Sequence, residues 1–67
     1  MSGFPDSIAA AARTLIAQYG DDAEIVAVMR AAEFAANGDE AGLAAWDEII
    51  ACIAAMEAGG PAAGALN

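Results

Sequence analysis

The chain has 67 residues and a net charge of −8, set by 10 acidic residues against 2 basic ones, Arg13 and Arg30, with no histidine. So short a chain forms one small domain, which buries only about 60% of the surface its unfolded form exposes and is marginal without some staple. One cysteine excludes an internal disulfide, the lack of histidine and of clustered ligands excludes the usual metal sites, and the scarcity of cations excludes direct nucleic-acid binding or attraction to an anionic membrane.

The remaining staple is oligomerisation or docking on a larger partner. The hydrophobic fraction is 60%, but its commonest member is alanine. Alanine confers helix propensity rather than a deep core, and it lets helices approach closely.

The spacing predicts a first helix over 6–19. Asp6 or Ser7 can cap it, with Phe4 ahead of the cap as a hydrophobic staple toward Ala9 or Ala10. Ile8, Ala12, Leu15 and Tyr19 recur at steps of three and four and form one face, leaving Arg13, Ala17 and Gln18 off it. Gly20 ends this helix.

A second helix is expected over 22–36. Asp21 as N-cap with Glu24 three positions on forms an acidic relative of the capping box. Its main apolar face reads Ile25, Val28, Met29, Ala32 and Ala36. Val26, Arg30 and Phe34 fall on another side, Phe34 nearly opposite Ile25. A helix with two apolar sides sits between two neighbours. Asn37 and Gly38 stop it.

The third helix is expected over 40–57, capped by Asp39, with Glu40 beside its positive dipole end. Leu43, Trp46, Ile50, Ile53 and Glu57 form its core stripe, widened on one flank by Ile49 and Met56. Gly59, Gly60 and Pro61 end it. Residues 61–67 have no periodicity and are expected to be a mobile tail beyond a single helical domain of residues 1–60.

Connections of roughly two or three residues force successive helices to turn back on one another. The expected fold is therefore all-α, a small three-helix bundle. Its core would be Ile8, Leu15, Tyr19, Ile25, Val28, Met29, Leu43, Trp46, Ile50 and Ile53.

Catalytic chemistry is poorly provided for. Cys52 has no histidine to activate it and sits among Ile and Ala, as a small packed hydrophobe would. A chain without lysine cannot build the usual phosphate-binding glycine loop, and Gly38 to Gly42 lacks the alternating oxygen ligands of a calcium loop. Asp21/Asp22, Asp39/Glu40 and Asp47/Glu48 are paired carboxylates. Most of them stand at helix N-termini, where acids cap free donors and favour the dipole. Glu33, Asp47, Glu48 and Glu57 have no such role. No enzyme activity and no cofactor are expected.

The run Gly38-Asp39-Glu40-Ala41-Gly42-Leu43-Ala44-Ala45-Trp46 resembles a Gly-Asp-x-Ala-Gly-x-x-x-Trp signature of short, uncharacterised bacterial helical proteins, a domain of unknown function. Tyr19-Gly20-Asp21-Asp22-Ala23 is similar to that family's first helix-to-helix turn, so the resemblance spans residues 10–57. It implies a helical fold and no assigned activity.

Two functional expectations follow. The first is a protein–protein interaction module (an accessory subunit, adaptor or homo-oligomer) that binds through an apolar helix face. Phe34 and Val26 would be its outward anchors, since aromatic residues are frequent hot spots. The alternative is an acidic inhibitor that imitates a nucleic acid, as phage-encoded blockers of bacterial defence nucleases do (anti-CRISPR or anti-restriction type). It would offer Glu33, Asp47 and Glu48 to a basic surface. Either way the partner is a protein, not nucleic acid or membrane. The N-terminal Met-Ser-Gly-Phe-Pro-Asp lacks a signal-peptide pattern and the lone thiol suits a reducing compartment, so a cytoplasmic location is expected.

Overall fold

The computed structural model of the protein describes residues 4–58. Over this range the chain is all-α: α1 spans Asp6–Tyr19, α2 Ala23–Ala36 and α3 Glu40–Ala58. Three helices parted by two loops is not the arrangement found. Gly20–Asp22 forms a 3-10 turn that runs straight into α2. The backbone is thus two helical runs, residues 6–36 and 40–58, with one loop between them. The expected stop at Gly59 to Pro61, the tail over 61–67 and the domain limit at residue 60 lie outside the described residues.

The turn at Gly20 has a simple cause. Its φ of 58° and ψ of −125° suit a residue without a Cβ, so the chain changes direction at one position and resumes helical geometry. Its N–H donates to the Ile16 carbonyl, and the Ala23 N–H donates back to the Gly20 carbonyl. One carbonyl of the 3-10 turn thus meets the first donor of α2. The expected capping box at Asp21 does not form: Asp22 holds the cap position of α2 and its side chain makes no cap hydrogen bond. Nor does Asp6 or Ser7 cap α1. Pro5 occupies that position and its carbonyl accepts from Ala9 N–H at 3.0 Å, while Asp6 adds negative charge to the first turn.

The loop between α2 and α3 follows the sequence closely. Gly38, with φ of 73°, closes α2 in a Schellman motif. Gly38 N–H donates to the Ala35 carbonyl at 3.1 Å and Asp39 N–H to the Phe34 carbonyl at 2.9 Å. Asp39 then caps α3: its Oδ1 accepts from Gly42 N–H at 2.9 Å and its carbonyl from Leu43 N–H at 3.0 Å. Stop and start share one residue, which reverses the chain with nothing to spare.

α3 packs against both α1 and α2. The buried residues are Ala12 from α1, Ala23, Ala27 and Ala31 from α2, and Ile49, Cys52 and Ile53 from α3. Of the expected core, only Ile53 is buried. Ile8, Leu15, Trp46 and Ile50 pack half-buried at its margin, as does Phe4, and Leu43 is half-buried. The centre of α3 is rotated toward the Ile49 and Cys52 flank, and Glu57 is exposed.

The largest correction concerns α2. Ile25, Val28 and Met29 face solvent, and Tyr19 at the end of α1 is exposed as well. The face placed inward is the opposite one, Ala23, Ala27 and Ala31 at steps of four. Small side chains allow helix axes to approach to the short end of the usual 8–10 Å range, and beside this alanine row the bulk comes from Ile49 and Ile53 of α3. Hydropathy alone ranks Ile and Met above Ala, which is why spacing by itself selected the wrong side.

Candidate interaction surface

The exposed face of α2 is built by default. Once Ala23, Ala27 and Ala31 are committed to α3, the 3.6-residue period carries Ile25, Val28, Met29, Ala32 and Ala36 to the far side. Ile25 is 61% exposed, Met29 60%, Val28 49% and Tyr19 41%. Singly exposed apolar residues are ordinary, whereas adjacent ones on one helix stripe make this face the candidate surface.

Charge borders this stripe unevenly. Asp21 and Asp22 are exposed in the turn at its N-terminal end, Glu24 is half-buried on one flank, and Glu33 is exposed on the other. Arg30 lies beyond Glu33 on that flank, its Nη1 3.9 Å from Glu33 Oε1, with both side chains more than half exposed. Such a pair contributes little to stability. It does tie the local cation to an anion.

Phe34, expected as an outward anchor, belongs to the α2–α3 seam. Its ring stacks on Trp46 with centroids 6.5 Å apart and planes 24° from parallel. It lies directly over Gly42, where an added Cβ would meet Phe34 Cε1 at 2.7 Å and Cγ at 2.9 Å. Gly42 and Trp46, four residues apart on α3, thus form a notch and a wall that receive one aromatic ring. Val26 is half-buried. Glu33, Asp47 and Glu48 are exposed, the last two on the side of α3 turned away from the core.

Ile25, Val28, Met29 and Tyr19, expected in the core, are the exposed large apolar residues among those described. A usable signal was present in the Ala23, Ala27, Ala31 row, together with a glycine four residues before the tryptophan. The alanine row marks a side fit to be packed, and the Gly–Trp step marks a place for one aromatic ring.

Among the described residues there is no cavity, no group of His, Cys, Asp or Glu placed to hold a metal ion, and no helix long and apolar enough to cross a membrane. Cys52 is buried and unpaired. No known protein family, curated protein or solved structure matches the chain.

Proposed function

We propose that this protein is a small, non-catalytic interaction module that docks on another protein through the exposed face of α2. The observation that carries this reading is the inverted helix: Ile25, Val28 and Met29 lie outside while an alanine row is packed inside. Keeping bulky side chains in water forgoes about 1.5–3 kcal/mol each that burial would contribute. A surface of this kind is economical only when something else covers it.

The test is to replace Ile25, Val28 and Met29 together by serine and weigh the native complex recovered with tagged protein at natural abundance. The triple variant is expected to keep its helical circular dichroism and to run at the mass of the free chain. A complex of unchanged mass would show that the stripe plays no part in assembly.

One observation favours a second reading, acidic mimicry of a nucleic acid. Glu40, Asp47 and Glu48 are all exposed on α3, away from the apolar stripe. If that side binds, Asp47→Asn with Glu48→Gln abolishes association and the serine variant leaves it intact. The two readings therefore predict opposite variants to fail.

A further inference from the structure

We infer that the occupant of the α2 stripe is a cationic amphipathic helix of a partner protein, an inference that rests on the interaction-module reading above. Shape comes first. The stripe from Ile25 to Ala36 runs along α2 for about three turns or roughly 18 Å, with its bulky side chains, Ile25, Val28 and Met29, gathered within little more than one turn and Ala32 and Ala36 continuing it. It matches the apolar face of one helix laid alongside.

Charge then selects the kind of helix. Asp21, Asp22, Glu24 and Glu33 border the stripe, and Arg30, 3.9 Å from Glu33, offsets only one of these four charges. A helix that brings leucines or isoleucines to Ile25, Val28 and Met29 brings its own flanking residues within reach of these carboxylates. Lysine or arginine there gains attraction, whereas aspartate or glutamate is repelled.

The same geometry disfavours a second copy of this chain. A second copy presents the same acidic border to this one, and each copy adds a net charge of −8. Three bulky side chains within little more than one turn also supply well under the ~800 Å² per partner of a standard interface, so charge must contribute to binding. Met29 at the centre suits such a role, because its unbranched, polarisable side chain adapts to different apolar partners.

The test uses the full chain and three labelled peptides of about 14 residues, roughly 21 Å as helices. One has leucine at helical spacing with lysine elsewhere, the second replaces each lysine by glutamine, and the third scrambles the first so that no apolar face forms. Fluorescence anisotropy is expected to show the lysine peptide binding at least about tenfold tighter than either control, and weakening at least about tenfold between about 50 and 500 mM salt. Ile25→Ser with Met29→Ser, shown to be folded by circular dichroism, should abolish that binding, and Glu24→Gln with Glu33→Gln should weaken it.

Equal binding by the glutamine peptide overturns the cationic partner and leaves the apolar module standing. Equal binding by the scrambled peptide overturns the stripe as the site, since charge alone then suffices. If no peptide binds, the inference fails. Sedimentation then separates the causes: a dimer that the serine variant dissolves assigns the stripe to a second copy. A native complex that the serine variant still disrupts leaves the module reading intact with a different occupant.

Discussion

The two faces of α2 are made from opposite materials and face opposite ways. One carries Ala23, Ala27 and Ala31 and is packed; the other carries Ile25, Val28 and Met29 and is wet. In most amphipathic helices the bulky residues go inside and the small ones are indifferent. Here closeness of approach decides instead. Along the alanine row α3 brings the volume, in Ile49 and Ile53, and α2 brings the space; at Gly42 the roles reverse and Phe34 of α2 brings the volume. Size complementarity across a seam can therefore outrank hydrophobicity along a helix, and the side that loses that contest becomes the surface available to a partner.

The sharpest way to break this comparison is to attack the side that fills the seam. Ile53→Ala is expected to cost about 2–5 kcal/mol, because a buried isoleucine leaves both lost transfer energy and a cavity. In a domain this small that change can abolish cooperative unfolding in urea, followed by circular dichroism. A loss under about 1 kcal/mol would show that the core lies elsewhere.

Filling the space should hurt almost as much. Ala27→Leu is expected to destabilise by about 1–3 kcal/mol through overpacking against α3. The same substitution at Ala32 on the wet face should change stability by no more than about 0.5 kcal/mol. Equal effects at the two alanines, read from urea midpoints, would erase the distinction between the faces.

Gly42→Ala pits two terms against each other. Alanine in a helix gains up to about 1 kcal/mol over glycine. The new methyl group, however, lands in the Phe34 ring. The ring must leave its stack on Trp46, which is worth about 0.5–1.5 kcal/mol beyond area burial. Net destabilisation is expected, with a change in Trp46 fluorescence, and pairing it with Phe34→Ala should restore part of the loss. A stabilised single variant would mean that the ring moves aside freely.

Two smaller effects complete the series. Asp39→Ala removes the side-chain acceptor of Gly42 N–H and is expected to cost about 1 kcal/mol. Ile25→Ser with Met29→Ser should change the unfolding free energy of the isolated chain by no more than about 0.5 kcal/mol, since neither residue is buried. That near-silence in stability, set against loss of binding, is the clearest signature of a face kept for a partner.

Much of the fold was legible in the sequence for local reasons. Gly38 and Asp39 encode a stop and a start through backbone conformation and one side-chain oxygen, and both act where expected. Cys52 lies in the core, as its apolar neighbours imply. The turn after Tyr19 was only half legible. Gly20 marks it, but the fate of Asp21 depends on whether a 3-10 turn already supplies the missing carbonyls, and no residue type signals that. The orientation of α2 was the least legible feature, since it is decided by what α3 presents. The Gly-Asp-x-Ala-Gly-x-x-x-Trp run acquires a physical meaning independent of kinship: a cap, a notch for an aromatic ring, and a wall to stack it on.

Cys52 is 2% exposed, at the centre of the cluster that joins all three helices. A thiol reagent cannot reach its sulfur by side-chain motion alone. It must wait for α3 to separate from α1 or α2. Where opening and reclosing are fast, Cys52 is alkylated at the reagent's own rate scaled by the population of the open fold, so the labelling rate reads stability. Nothing needs to be added to the protein to read it. Slower labelling on addition of a binding helix would report, from inside the molecule, that the folded state had gained a partner.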